Sequence, residues 1–142
     1  MLKGISHLLS PELLKILMEM GHADEIVLGD ANFPAASHAR RLVRADGHGI
    51  PALLNAILPL FPLDTYVESP VALMAVTPGD TVKTPIWEDY RQIVKEFHAV
   101  PVEFDEMERF SFYERAKNAY AIVSTGEQAL YANVILKKGV VV

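Results

Sequence analysis

The sequence predicts an α/β fold, a three-layer α/β/α sandwich around a mainly parallel sheet of about six strands. Three observations predict it. Helix-like and strand-like segments alternate along the chain. The strand-like segments include continuous apolar runs such as "PVALMAV", which suit strands covered on both faces. The length, 142 residues, is that of one domain with a single core, so residues 1–142 are expected to form one unit.

The elements follow in order. Ser10 reads as an N-cap, with Pro11 at the first helical position and Glu12 in the first turn. Leu13, Leu17 and Met20 share one face of this helix, and Gly21 stands where it should stop. "EIVLGD" is a short buried strand. "ANFPAASHARR" has turn chemistry and little periodicity, so it is expected to be a loop. "RLVRAD" is a second strand, and "IPALLNAILPLF" an apolar helix broken near Pro59. After the "PVALMAV" strand, Thr84 and Pro85 open a helix in which Trp87, Tyr90, Val94 and Phe97 keep helical spacing. "VEFDEM" is a weak strand. Ser111 and Glu114 form a capping box for the helix "SFYERAKNAY". The tail "AYAIVSTGEQALYANVILKKG" reads as two strands around a glycine-containing turn, a hairpin at the edge or end of the sheet.

Composition narrows the function classes. Hydrophobic residues make up 51% of the chain, enough that part of the surface is expected to be buried in an oligomer. No 18-residue apolar run is present, so no membrane span is expected. The N-terminal stretch lacks a long apolar segment of the signal-peptide kind, and a cytoplasmic location is the expectation. The absence of cysteine excludes disulfides, thiolate metal sites and cysteine nucleophiles. Net charge is −5 and the basic residues are scattered, so nucleic-acid binding is not expected.

In open α/β sheets, ligands bind outside the carboxyl ends of strands. Asp30 stands at such an end, and Arg109 follows a strand and precedes a capped helix. Asp30 serves either as an Asx-turn or as a carboxylate holding the hydroxyls of a polar ligand. Arg109 is either surface charge or the mouth of a site. His22, just after the glycine that ends a helix, is a solvated helix-end histidine or a proton-transfer group, since an imidazole near pKa ~6.5 serves as acid and as base. Asp24 is either a turn residue or a group that orients this imidazole. Tyr131 and Asn133 alternate along the last strand, so they share a face; the bland alternative is the wet face of an edge strand. The remaining histidines, His7, His38, His48 and His98, show no metal-ligand spacing.

Several multi-residue segments match one family in the right order. "MLKGISHLLSPELLKILMEMGHADEIVLGDANFPA", "VRADG", "AILPLFPLDTY", "RFSFYERAKNAYAIVSTGE" and "YANVILKKGV" together resemble the RbsD/FucU family, in its fucose mutarotase branch. The resemblance covers nearly the whole chain. It implies interconversion of the anomers of a reducing sugar, L-fucose, with no metal and no organic cofactor. It implies one antiparallel strand in an otherwise parallel sheet. It also implies large rings, often decamers built from two pentamers, with sites at subunit boundaries. Carried over by motif, His22 is the proton donor, and the sugar contacts are Asp30, Arg109 and the run Tyr131, Ala132 and Asn133.

The chemistry suits these residues. A pyranose opens when a proton leaves the anomeric hydroxyl while another reaches the ring oxygen, and positioned acid–base groups supply ~10²–10⁴ each. The strand between His22 and Asp30 is expected to fix both as parts of one site. The alternatives are a D-ribose pyranase, a mutarotase for another monosaccharide, and, in a different class, a non-catalytic sugar-binding module.

Overall fold

The computed structural model describes all residues, 1–142. Its elements are α1 (Pro11–Glu19), β1 (Glu25–Gly29), α2 (Ala35–His38), β2 (Leu42–Ala45), α3 (Ile50–Ile57), β3 (Val71–Met74), α4 (Pro85–Phe97), β4 (Phe104–Met107), α5 (Arg109–Asn118), β5 (Ala121–Thr125) and β6 (Val134–Lys137). No helix is long and apolar enough to cross a membrane.

The six strands form one sheet in the order β2-β5-β1-β6-β3-β4. All neighbours are parallel except β6, which runs antiparallel to both β1 and β3. Strand periodicity sorts the core into two layers. Ile26, Leu28, Val71, Leu73, Ala121, Val123, Val134 and Leu136 point to one face, where they meet the apolar sides of α1, α3 and α4. Val27, Ala72, Met74, Ile122 and Ile135 point to the other, against Ala35 of α2 and Phe112 and Ala116 of α5. The predicted α/β/α sandwich, mainly parallel with one reversed strand, is the observed architecture.

Local signals explain several boundaries. The Ser10 hydroxyl accepts from the Leu13 amide at 3.1 Å, and α1 buries Leu13, Ile16 and Leu17. Each N-terminal turn of α1, α3 and α4 carries a proline, whose missing N–H costs a helix start nothing.

Three expectations need correction. The loop predicted from "ANFPAASHARR" contains the single-turn helix α2, whose four residues are too few for periodicity to register. Helix α5 begins earlier than its capping box suggests. The Glu108 carboxylate accepts from the amides of Phe110 and Ser111 at 2.9 and 3.0 Å, so Glu108 is the cap and Arg109 the first helical residue. Glu114 pairs with Lys117 instead. Finally, β5 and β6 are not a hairpin, because β1 lies between them. The connecting stretch is tied to other segments. The Gly126 amide donates to the His48 carbonyl at 2.9 Å, the Ala31 amide to the Glu127 carbonyl at 2.8 Å, and the Ile50 amide to the Glu127 carboxylate at 3.1 Å. A Cβ on Gly126 would lie 2.1 Å from the Asp46 carbonyl oxygen, so only glycine allows this approach.

Candidate active site

The reversed strand decides where the chemistry collects. Because β6 runs against β1 and β3, the residues that precede it meet the carboxyl ends of those strands. A cavity of about 290 Å³ opens there. Asp30 comes from the end of β1, Met74 from the end of β3, Arg109 from the first turn of α5, and Tyr131 and Asn133 from the approach to β6. Asn32, Thr77, Asp80 and Tyr113 complete its polar lining. Tyr131 and Asn133 are therefore not strand residues. They precede β6, and Tyr131 adopts a left-handed backbone with φ 56°.

Hydrogen bonds hold this end together. The Asp30 amide donates to Asn133 Oδ1 at 2.7 Å, which leaves the Asn133 amide nitrogen with only Met74 Sδ at 3.9 Å. The Asp30 side chain is 6% exposed. Burial pushes its carboxyl above the usual range, against the pull of the amides of Asn32, Ala132 and Phe33. The Asx-turn expected of Asp30 is present, with its Oδ1 accepting from the Asn32 amide at 3.0 Å, and the carboxylate lines the cavity. The Ala132 contribution is its main chain. From the far face of the sheet, Trp87 Nε1 donates to the Tyr131 carbonyl and the Tyr90 hydroxyl to the Ala132 carbonyl, each at 2.7 Å. Arg109 takes part in no ion pair of the chain; its guanidinium lies 4.7 Å from the centre of the Phe110 ring. A cation at a helix start opposes the helix dipole, so an anionic or hydroxyl-rich partner offsets that cost.

His22 is not in this cavity. It lies beyond the amino end of β1, and β1 alone spans roughly 17 Å. The expectation that one strand would build one site from both of its ends fails within a single chain, because a strand separates what flanks it. The same separation dismantles any metal site shared by His22, Asp24 and Asp30, and no group of three or more His, Cys, Asp or Glu side chains is arranged to hold a metal ion.

The His22 end is nonetheless organised. His22 Nε2 lies 3.1 Å from Asp64 Oδ1, and its ring sits 5.3 Å from that of Tyr66. Asp64, 3% exposed, also accepts from the Tyr66 amide at 3.0 Å. Burial works against the Asp64 carboxylate, but the Tyr66 amide, His22 and the charge of Lys137 bring it below its ordinary value. Asp24, the expected orienting group, instead accepts from the Gly21 amide at 2.7 Å and closes the turn in which Ala23 has φ 71°. Asp64, not Asp24, supplies the carboxylate against the His22 ring. Its segment, "PLDTY", carries no local signal beyond an acid between a proline and an aromatic residue. Asp80 and Thr77 were missed for the same reason, since only the fold brings their loop against Tyr131.

The model of the RbsD/FucU transport protein family matches residues 3–141. The chain belongs to the RbsD/FucU family. Among its relatives, the fucose mutarotase of Homo sapiens is 55% identical over 145 residues, covering 98% of this chain and 94% of the relative. The L-fucose mutarotase of Actinobacillus pleuropneumoniae serotype 5b (strain L20) is 52% identical over 140 residues, covering 99% and 97%. Among solved structures of the family, the fucose mutarotase from Streptococcus pneumoniae in complex with L-fucose superposes with a TM-score of 0.95 at 55% identity, covering 99% of this chain and all of that one. RbsD from Bacillus subtilis complexed with D-ribose, at 23% identity and TM-score 0.74, shares the fold, and the two are matched over 100% of each chain.

Proposed function

We propose that this protein is an L-fucose mutarotase, an isomerase that interconverts the α and β anomers by opening and closing the pyranose ring. The observation that carries the reading is the cavity at the reversed strand. It joins a buried carboxylate, a free guanidinium, a phenol and a primary amide in a chain whose full-length relatives bear that name. Identity above 50% to fucose mutarotases favours fucose over ribose as the sugar.

In this reading the sugar lies in the cavity. Asp30 accepts from one hydroxyl, while Arg109 and the Asn133 amide nitrogen donate to others. Ring opening moves one proton from the anomeric hydroxyl to a base and delivers another to the ring oxygen as the bond between that oxygen and the anomeric carbon breaks. The free aldehyde turns about its bond to the ring carbon, and closure reverses both transfers. His22 is the acid. Asp64 accepts from its Nε2, which leaves Nδ1 free for the sugar, and the carboxylate stabilises the imidazolium in the step where the proton is held.

His22 reaches the sugar from a neighbouring copy of the chain, since its own cavity lies at the far end of β1. The assembly is a homo-oligomer, a pentamer-based ring such as a decamer. The apolar surface that a single chain leaves uncovered, including Leu2, Met18 and Leu60, is consistent with burial between copies.

Saturation-transfer NMR on equilibrated L-fucose tests this. The α-anomeric proton is irradiated and loss of β intensity is followed. Wild-type protein should transfer saturation, while His22→Ala and Asp30→Asn should each be silent. Oligomers reassembled from equal amounts of the two variants should recover about one quarter of the activity, because each site draws its histidine and its carboxylate from independent chains. A mixture as silent as its components defeats the shared site. Wild-type protein that binds fucose without transfer is a binding module.

A further inference from the structure

Of the five tyrosines in the chain, four are buried or half-buried, whereas Tyr66 is 76% exposed. Its loop is nonetheless fixed. The Tyr66 amide donates to Asp64 Oδ1 at 3.0 Å, the same oxygen that lies 3.1 Å from His22 Nε2. One atom thus sets both rings, whose centres are 5.3 Å apart and whose planes are tilted by 54°. Behind them the Asp64 amide donates to the Lys137 carbonyl at 3.0 Å, and the Gly139 amide to the Pro62 carbonyl at 2.7 Å, so the end of β6 straps the loop down. We propose that Tyr66 enters the neighbouring copy's cavity together with His22, as the platform on which the C–H face of the sugar rests. The inference rests on the mutarotase reading and its shared site, and adds a second contact from the chain that lends the histidine.

A sugar that takes a proton from His22 Nδ1 lies against the edge of the imidazole, and the Tyr66 ring is the aromatic surface beside that edge. The two rings travel as a unit, because both are tied to Asp64 Oδ1. The oxygen that His22 serves is the ring oxygen, which is bonded to C1 and C5, so the carbons next to it are the atoms within reach of Tyr66. L-fucose carries the hydrogens of C3, C4 and C5 on one face of the pyranose, an apolar patch with no hydroxyl on it. A tyrosine ring offers a flat apolar surface of matching size, and its negative π face attracts polarised C–H bonds.

Stacking on C3–C5 suits the reaction. Anomer exchange requires the C1–C2 bond to turn while the rest of the sugar keeps its place. Asp30, Arg109 and Asn133 hold hydroxyls, and Tyr66 closes the carbon side opposite them. A sugar gripped at C3–C5 leaves C1 free to turn and keeps the opened ring's oxygen beside Nδ1, so closure starts from the position in which opening ended. Tyr66 passes no proton and needs no co-reactant. The platform also accounts for a large aromatic side chain left in water on a rigid loop. Its ring is wet only in the single chain, and the neighbour's sugar covers it in the shared site.

The test uses the intact oligomer and the same exchange measurement, analysed for kcat and KM separately, with assembly followed by sedimentation. Tyr66→Ala should raise KM for L-fucose about 10-fold with a smaller loss in kcat, and Tyr66→Phe, which keeps the ring, should recover most of the difference. Tyr66→Leu keeps apolar bulk for packing between copies but has no π face, and should resemble Tyr66→Ala. The loss should also follow the chain that lends the histidine. In oligomers reassembled from Asp30→Asn and His22→Ala chains, Tyr66→Ala should raise the KM of the recovered activity when the Asp30→Asn chain carries it, and not when the His22→Ala chain does. Wild-type KM in Tyr66→Leu overturns the platform, as does a Tyr66→Phe protein as impaired as Tyr66→Ala. An equal loss whichever chain carries the change overturns it too, and each of these results leaves the mutarotase reading standing. Wild-type protein that does not accelerate exchange, or a mixture of Asp30→Asn and His22→Ala chains as silent as its components, defeats the earlier reading instead, and the platform falls with it.

Discussion

Replacing Tyr90 with phenylalanine isolates one oxygen atom that links the back of the sheet to the sugar cavity. Tyr90 is fully buried, and its hydroxyl donates to the carbonyl of Ala132, itself fully buried, at 2.7 Å. Burial pushes the Tyr90 phenol far above its ordinary value, so it remains a donor at every working pH. Phenylalanine keeps the ring packing and removes only the donor, which leaves the carbonyl without its partner. An unpaired buried acceptor costs about 1–3 kcal/mol. For 142 residues the unfolding entropy is about 300 cal/mol/K, so the melting temperature should fall by roughly 3–10 °C. The functional effect should be larger. Ala132 lies between Tyr131 and Asn133, and a carbonyl that turns toward water rotates the peptide carrying Asn133. A displacement near 1 Å at a reacting centre can cost about 10²-fold. The assays are a thermal melt and fucose anomer exchange on the same preparation. A Tyr90→Phe protein that melts within 1 °C of wild type and exchanges at the wild-type rate would refute the reasoning, since the bond then neither stabilises the fold nor sets the loop.

Three further variants test the same structure. Asp64→Asn should lower exchange about 10²-fold while isothermal titration shows L-fucose still bound, because it withdraws the charge behind His22 without touching the cavity. The same variant should flatten the acid limb of stability. The folded Asp64 carboxyl sits below its ordinary value, so its stabilisation is present above ~3.9 and is lost as pH falls through the lower folded value, which urea titrations between pH 3 and 6 will register. Gly139→Ala places a Cβ 2.5 Å from the Leu63 carbonyl oxygen and 3.0 Å from Asp64 Cα, so it should destabilise the protein by about 1–3 kcal/mol in denaturant and slow exchange by moving Asp64. Glu25→Gln leaves the Arg115 guanidinium, only 23% exposed, without its carboxylate and should cost roughly 2–4 kcal/mol in the same titrations, with Lys137 at 3.8 Å no longer paired.

Much of the fold was legible because its signals are local. The Ser10–Pro11 start of α1, the apolar "VALM" of β3 and the spacing of Trp87, Tyr90 and Val94 in α4 each report on a few neighbouring residues, and each appears where expected. Strand order was not legible in that way. Nothing in "AIVST" or "VILK" says that β1 will insert between them, because that choice is made by pairing partners about a hundred residues away. The site divides along the same line. Asp30 and Arg109 stand at the strand end and helix start where the sequence put them, and Tyr131 and Asn133 join them from the stretch before β6, not from within the strand where they were expected. Asp64 and Asp80 stand in irregular loops, where no periodicity marks a residue and only tertiary contact gives it a partner. His22 showed the limit of spacing as evidence. Eight residues are close in sequence but distant when most of them are extended.

The placement of His22 and the cavity at opposite ends of β1 also sets an arithmetic for assembly. If each copy lends its histidine to the next copy's cavity, a head-to-tail line of n copies contains n−1 finished sites and two idle ends. Closing the line finishes all of them at once. Turnover per chain then rises with assembly and reaches its full value only on closure. Dilution that opens rings should lower specific activity before any chain unfolds. A four-residue strand running the wrong way, β6, thereby does more than finish a sheet. On the proposed reading it fixes the sugar cavity at one pole of the molecule while His22 stays at the other, so that a solitary chain would be incomplete.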